Sequence, residues 1–373
     1  MTVVALLIAI AIPLVALYFI YTLDLYKTGA FRYVLMGFLA GAISYLIAAL
    51  VNPIPMNAGD ISYWDMVRFL APVTEEILKA LILLYLARRP DFTYFVDGAI
   101  YGFSTGIGFA ILENFEYVLG NPSAALAVAV NRVISTNLMH AAASATVGIV
   151  LGLARFKRIT GRTALTLAGI LLAIALHTGF NNLVTRVEGG LLLLYAILVG
   201  GGAATFITLA IKRGLADEKK WIEEKLGAAD RVERGEVAAV QRLEKSEEIL
   251  TPLAEIFGME KASQIEQLLF TQARLGILRK THEKLADEKI RTAVGAQIDQ
   301  LRQEMDRARR AVGSYTMLYL RSTYLEESGS LYKRLEAVLQ ERAASHQTSK
   351  VNIYDTLTQR IPQAANANKD VEK

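Results

Sequence analysis

Seven long apolar segments, separated by short polar stretches, dominate the first 213 residues of the chain. They cover roughly 2–22, 30–51, 66–87, 97–119, 124–152, 163–185 and 189–211. At about 1.5 Å per residue, each is long enough to cross about 30 Å of hydrocarbon. The fourth to sixth are rich in Gly, Ala, Ser and Thr, which is typical of helices that pack on helices. The pattern predicts an all-α fold, a polytopic membrane helix bundle of about seven spans, in a transmembrane domain at 1–213.

The rest of the chain has a different, water-facing helical pattern. Residues 1–213 hold 14 Lys/Arg and 10 Asp/Glu, whereas 214–373 hold 26 of each class. We expect a helical soluble domain at 214–346 and a polar tail at 347–373. Within that domain an amphipathic helix is predicted around 265–278. A second run, from residue 287 to about 328, carries a partly coiled-coil-like seam that needs a partner helix: Ile290, Val294, Ile298, Leu301, Met305, Ala308, Val312 and Tyr315. This seam predicts a homodimer or a protein partner.

Basic residues beside the apolar segments predict the orientation of the chain. Only Arg186 lies in a loop on one side of the seven-span arrangement. Ten lie on the other side: Lys27, Arg32, Arg88, Arg89, Arg155, Lys157, Arg158, Arg162, Lys212 and Arg213. Since positively charged loops stay in the cytoplasm, we expect an outside N-terminus and a cytoplasmic C-terminal domain. The net charge of +4 is explained by this topology and does not indicate nucleic-acid binding.

The third span, "PVTEEILKALILL" at 72–84, contains three ionisable side chains. Such a group near the bilayer centre costs about 2.5–3.5 kcal/mol, so it usually faces the bundle interior and marks function. Glu75 precedes Lys79 by four residues, which predicts an ion pair on one helical face. That pair alone could be structural, but it leaves the second carboxylate, Glu76, unexplained.

Three further spans carry polar groups at a similar predicted depth. Glu113 and Asn114 lie in the fourth span, His140 in the fifth, and His177 and Asn181 in the sixth. Each could be a packing or interfacial residue when considered alone. Counted at about 1.5 Å per residue from the ends of their spans, however, they fall in the same outer half of the membrane. The shared depth predicts one buried polar site.

Two stripes along the fourth and fifth spans predict how these helices pack. Gly98, Gly102 and Gly106 form a small-residue stripe that allows another helix to approach closely. In the fifth span, polar or small side chains recur every four residues, from Arg132 through His140 to Gly148. Arg132 is interpreted as a counter-ion for a carboxylate or as a residue near the outer surface.

These residue types favour the activation of water. The chain has no cysteine, which excludes cysteine nucleophiles and thiolate metal sites. A glutamate could deprotonate water, while His177 and Asn181 donate to the developing oxyanion. Alternatively, Glu113, His140 and His177 could bind zinc as a His₂Glu site with an open water position. The helical HExxH signature is absent, so such ligands would come from separate helices. Both versions remain open at this point.

Four motifs in order on consecutive spans resemble the PrsW family of intramembrane proteases: "EEILK", "FAILEN", "NLMHAAAS" and "HTGFN". The resemblance covers about residues 60–185 and extends to a superfamily with CAAX prenyl endopeptidases and bacteriocin-processing enzymes. It implies an integral protein of a prokaryotic cell membrane, a peptidase often described as a metalloprotease. The expected substrate is a membrane-anchored protein, such as an anti-sigma factor cut at its first site near the outer surface.

The resemblance also implies roles for individual residues. Glu75 and Glu76 take the paired-glutamate position, with Glu75 as the base. Glu113, His140 and His177 take the other polar positions, with Asn181 as a helper. Lys79 and Asn114 support the site.

Two functions from other classes compete with the peptidase. Buried Glu, His and Lys side chains also form relays in proton- or ion-coupled transporters. Against this, the sequence shows no inverted repeat and no obvious pair of broken helices. The other alternative is a catalytically inactive signalling scaffold that uses the C-terminal helices as its output.

Overall fold

The computed structural model describes residues 1–187 and 190–325. Within them the chain forms helices and no strands, so the predicted all-α membrane bundle is confirmed. The predicted tail at 347–373 and residues 326–346 lie outside the described residues.

The N-terminal helices build the membrane part of the fold. They are α1 (Thr2–Thr22), α2 (Phe31–Val51), α3 (Pro53–Asn57), α4 (Tyr63–Asp65), a π-helix (Met66–Leu70), α5 (Ala71–Leu86), α6 (Phe95–Gly120), α7 (Ala125–Ile134), α8 (Thr136–Ala154), α9 (Ile159–Val184) and α10 (Gly190–Lys225). The C-terminal helices are α11 (Arg234–Gln241), α12 (Ser246–Phe257), α13 (Met259–Lys284), α14 (Glu288–Val312) and α15 (Ser314–Leu325).

Six helical segments among the described residues are long and apolar enough to cross a membrane. They are Thr2–Thr22, Phe31–Asn57, Phe95–Gly120, Ala125–Ala154, Ile159–Val184 and Gly190–Lys225. The segment predicted at 66–87 forms the π-helix and α5, which has 16 residues. That is slightly shorter than the 17 or more residues usual for a span, so the count of seven stays a prediction.

Helix α6 lies at the centre of the bundle and packs closely on α8. A Cβ atom added at Gly98, Gly102 or Gly106 would lie 2.1 to 2.4 Å from a carbonyl oxygen of α8. The carbonyl facing Gly106 belongs to His140. The predicted glycine stripe is therefore confirmed, and it brings the backbone of a candidate site residue directly against α6.

Two spans depart from a regular α-helix near the same end of the bundle. The predicted span 124–152 is present but is interrupted at Ser135, between α7 and α8. The Ser135 hydroxyl donates to the Asn131 carbonyl (2.7 Å), and such back-bonding by a serine bends helices. The second departure is the π-helix Met66–Leu70, which precedes the two glutamates of α5. Short π-helical turns occur frequently at functional sites.

The apolar seam near the C-terminus packs against a helix of the same chain. The buried side chains of α14, from Val294 to Val312, lie on α13, whose predicted amphipathic face is also buried. The prediction of one run to about 328 is wrong, because Gly313 adopts φ 88° and separates α14 from α15. Tyr315 is 76% exposed and does not belong to the seam. Dimerisation stays a prediction, since α13 already covers this face.

Helix α10 joins the membrane part to the C-terminal helices without a break. It continues past residue 213, so the predicted boundary falls inside a helix. Gly276 of α13 packs on Ile222, and the Arg279 guanidinium donates to the Lys225 carbonyl at 3.1 Å. Arg162, at the start of α9, donates to Asp287 at 3.0 Å and holds the pKa of that carboxyl below its usual range.

Candidate active site

The ionisable side chains that the sequence singled out in four spans meet at one place inside the bundle. Helix α5 supplies Glu75, Glu76 and Lys79, and α6, α8 and α9 supply Glu113, His140 and His177. All except Glu113 are buried, and the Glu113 side chain is 16% exposed. The predicted convergence is confirmed. It explains how charges are tolerated in an apolar chain, because each lies beside a partner from another span.

Glu76 is held from two sides through one oxygen. Its Oε1 accepts from the Lys79 ammonium at 2.6 Å and from the His177 Nδ1 at 2.8 Å. The predicted pairing of Lys79 with Glu75 is therefore wrong. Residues three and four positions apart both share a helical face, so either glutamate could have paired with the lysine. The lysine turns toward Glu76 because His140 of α8 lies on that side and offers a second contact.

The contacts of His177 leave one of its nitrogens free. A carboxylate only accepts hydrogen bonds, so Nδ1 carries the proton that Glu76 accepts. The other nitrogen, Nε2, then has an available lone pair and lies 3.8 Å from the Glu75 Oε2. A carboxylate that fixes the tautomer in this way is typical of histidines whose second nitrogen binds a metal or a proton.

His140 has the opposite tautomer. An ammonium only donates, so Lys79 donates to the His140 Nδ1 (3.0 Å) and the ring proton lies on Nε2. From there it is donated to the Glu113 Oε2 at 2.8 Å. The two imidazole rings lie edge to face with centroids 4.7 Å apart. The site thus contains one histidine that offers a lone pair and one that offers a proton.

Glu113 is neutralised from a second side by Arg132 of α7. The guanidinium Nη2 lies 2.7 Å from the Glu113 Oε2, which confirms the interpretation of Arg132 as a counter-ion. Asn114 accepts from the Arg132 Nε (2.9 Å) and donates to Asn137. Its contacts therefore orient Arg132.

Two amides complete the surroundings of the site. Asn181 donates through Nδ2 to the carbonyl of Val67 (2.8 Å), so its amide nitrogen is engaged with the π-helix. The Asn52 amide lies 3.5 Å from the Glu75 Oε1, a weak contact. Sequence reasoning missed Asn52, because an asparagine directly before Pro53 at the end of an apolar segment has the features of a helix terminus. Glu75 is thus the least engaged carboxylate of the site, and its Oε2 is buried without a hydrogen-bond partner among residues 1–187 and 190–325.

A family model described as "PrsW family intramembrane metalloprotease" matches residues 29–217, just over half of the chain. The chain belongs to the PrsW family. The matched region contains all the site residues and ends within α10, before the C-terminal helices.

Two curated members of the PrsW family are similar to the chain, both named "Protease PrsW". The protein from Clostridioides difficile (strain 630) is 28% identical over 182 residues, which are 47% of this chain and 76% of the relative. The protein from Shouchella clausii (strain KSM-K16) is 28% identical over 204 residues, which are 52% of this chain and 89% of the relative. No solved structure matches the chain. Membership of the family and the six apolar helices make the chain an integral membrane protein of the peptidase class.

The metal that the PrsW family description implies finds a suitable donor set in this site. Among residues 1–187 and 190–325, Glu75, His140 and His177 are buried and bring one ligand atom each within 4.8 Å of the others. One carboxylate and two imidazoles form a His₂Glu set, as in catalytic zinc sites, although His140 would have to exchange its contact with Lys79 or Glu113 for the metal. The unpartnered Glu75 Oε2 and the free His177 Nε2 fit a cation between them. This trio contains Glu75 in place of the expected Glu113, which is already engaged by Arg132 and His140.

Proposed function

We propose that the chain is an intramembrane endopeptidase that hydrolyses a peptide bond of a membrane-anchored protein, with water activated at Glu75. One observation carries the proposal: Glu75 presents a buried, unpartnered carboxylate oxygen beside the free Nε2 of His177. Every other carboxylate of the site has a cation within 3 Å. A base needs an available lone pair close to the water that it deprotonates, and Glu75 is the glutamate of the site that offers one without being paired to a cation.

In this mechanism the chain's own residues move one proton and stabilise one charge. Glu75 accepts a proton from water as the oxygen attacks the peptide carbonyl, and returns it to the departing amine as the C–N bond breaks. Glu76 keeps His177 oriented through Nδ1. The proposed donors for the negative oxygen are His140 Nε2–H and the Arg132 guanidinium, which both contact the Glu113 Oε2 and would exchange this acceptor for the oxyanion.

A divalent metal held by Glu75, His140 and His177 would supply Lewis-acid polarisation to the same site. With Glu75 engaged as a ligand, Glu76 becomes the proton acceptor, because its Oε2 is buried and unpartnered. The proton taken from water therefore goes to Glu75 in the version without a metal and to Glu76 in the version with a metal.

The proposed substrate is a regulatory membrane-anchored protein, such as an anti-sigma factor, cut near the outer surface. The ten-to-one distribution of basic residues in the loops supports an outside N-terminus. In that orientation the ends of α6 and α9 that carry Glu113 and His177 point outward.

Cleavage is tested with the full chain reconstituted in lipid vesicles together with a library of single-span membrane proteins. We expect new N-termini, identified by mass spectrometry, that disappear with His177→Ala. The matched control is His282→Ala, since His282 lies on α13 outside the site. Products that persist in His177→Ala at the wild-type rate contradict the proposal. Proton or ion flux without any cleavage would instead favour a transporter.

Metal binding is tested separately from activity. The purified chain is expected to bind about one Co²⁺ or Zn²⁺ per chain, and the Co²⁺ absorption spectrum should report tetrahedral nitrogen and oxygen ligands. Glu75→Gln and His177→Ala should each weaken binding at least tenfold, whereas Glu113→Gln should weaken it less. A chelator should then abolish cleavage. Wild-type binding in both ligand variants, or full cleavage in metal-free protein, favours the glutamate-only version.

A further inference from the structure

A cavity of about 320 Å³ opens directly beside Glu113. It lies where α6 and α9 end and α10 begins, and helices α7 and α8 and the π-helix close its other sides. Asn181 and Arg132, which surround the site, also line it. The cavity is therefore continuous with the polar site but extends beyond it.

Both departures from regular helix line this cavity. Val67 lies in the π-helix, and Ser135 lies at the break between α7 and α8. At membrane depth, irregular backbone is tolerated where it is buried in protein or lines a cavity. Two independent irregularities, 68 positions apart in the chain, thus face the same space as Glu113. Because two irregular segments meet at this cavity, we interpret the cavity as an integral part of the fold and not as a packing defect.

The cavity wall is mostly apolar, and no charged side chain among the described residues that line it is unpaired. Its apolar side chains come from four elements, the π-helix, α7, α9 and α10: Val67, Ala127, Val128, Phe180, Val184 and Leu192. The charged groups at its inner end, Glu113 and Arg132, are paired with each other.

Two further polar groups of the wall are engaged, whereas the Asn131 Oδ1 is buried and has no hydrogen-bond partner among the described residues. Thr185 accepts from the Arg68 Nε at 2.9 Å, and Asn181 donates to Val67. A charged ligand group placed here would lose its hydration and would find only a neutral amide oxygen, the Asn131 Oδ1, as an unengaged partner, whereas an apolar group would gain contacts.

We propose that this cavity binds one uncharged, apolar side chain of the substrate, adjacent to the scissile bond, and so selects which peptide bond is cut. The inference rests on the proposed function. The cavity volume is at the lower end of the range for ligand pockets, so the cavity suits a single side chain better than a larger ligand. Because one methylene in an apolar pocket changes discrimination about 10- to 200-fold, the size of the pocket should be visible in the cleavage products.

The test changes the size of the cavity by substitutions on two different helices. Val184→Phe on α9 and Ala127→Phe on α7 narrow it, and Val184→Ala enlarges it. Leu183→Phe and Leu126→Phe are matched controls, because these neighbours are 52% and 39% exposed and do not line the cavity. The probe is a single-span membrane protein library randomised at five positions around one cleaved bond, incubated with the reconstituted full chain.

Wild-type products should carry an uncharged aliphatic residue at one position beside the cut. Both narrowing variants should reduce cleavage of sequences with Leu, Ile or Phe at that position at least tenfold relative to Ala or Gly, and Val184→Ala should shift preference toward larger residues. The control variants should keep the wild-type profile.

An unchanged profile in folded Ala127→Phe and Val184→Ala overturns the inference, as does a wild-type preference for a charged residue. Failure of the proposed function has a different signature, namely no product that depends on His177.

Discussion

Replacing Glu75 by Gln is expected to lower the rate of peptide cleavage by about 10²–10⁴-fold, the contribution of a positioned base, while the fold stays intact. The glutamine amide is nearly the same size as the carboxylate, and among the described residues Asn52, at 3.5 Å, is the only side chain that donates a hydrogen bond to Glu75. The site also loses one buried carboxylate that has no cation of its own. Thermal unfolding of the reconstituted variant should therefore match or exceed that of the wild type.

Glu76→Gln provides the informative comparison. Glu76 is bound to both Lys79 and His177, so its replacement should reduce the stability of the fold as well as cleavage. Glu116→Gln is the control, since Glu116 is exposed on the same helix as Glu113 and bonds to Tyr45. Cleavage by Glu75→Gln within threefold of the wild type would remove Glu75 from the mechanism. Equal loss of stability in Glu75→Gln and Glu76→Gln would contradict their different roles.

Replacing Lys79 by Met should destabilise the membrane bundle by about 3–5 kcal/mol, the usual effect of leaving a buried charge without its partner. Lys79 is 1% exposed and Glu76 is 0% exposed, and their side chains are 2.6 Å apart. The methionine keeps the apolar contacts of the lysine stem but cannot neutralise the carboxylate. The free energy of unfolding in mixed micelles measures the loss.

The double variant Lys79→Met/Glu76→Gln separates charge from packing. Without the Glu76 carboxylate no charge has lost its partner, so at least half of the lost stability should return while cleavage stays low. Lys157→Met is the control, because Lys157 is exposed and should change stability by less than about 0.5 kcal/mol. A loss below 1 kcal/mol in the single variant, or no recovery in the double variant, would show that the ion pair does not support the fold.

The members of the candidate site could be predicted from the sequence because charges are conspicuous in apolar segments. Each charge costs free energy to insert into the membrane, so it is unlikely to occur there by chance. Counting the helical rise along the four spans then places their polar residues at a common depth. The pairing of these groups could not be predicted. Whether Lys79 contacts Glu75 or Glu76 depends on His140, which lies 61 positions away in the chain.

The backbone irregularities were equally hidden. Neither the π-helix nor the break at Ser135 contains a proline or glycine. The break is accompanied by a single side-chain hydrogen bond, from the Ser135 hydroxyl to the Asn131 carbonyl. The C-terminal seam was visible as a periodic pattern, but periodicity alone does not reveal whether the partner helix belongs to the same chain. Gly313 is the exception, since a glycine inside a helical pattern is a recognised signal for a helix end.

The length and continuity of helix α10 connect the C-terminal helices mechanically to the cavity. It is a single element of 36 residues, about 54 Å long, that begins at the cavity wall with Leu192 and ends among the C-terminal helices. A rod of this length acts as a lever: tilting it by about 5° around one end moves the other end by roughly 5 Å. A displacement of the C-terminal helices that tilted α10 as a rigid body would therefore also move Leu192 in the cavity wall.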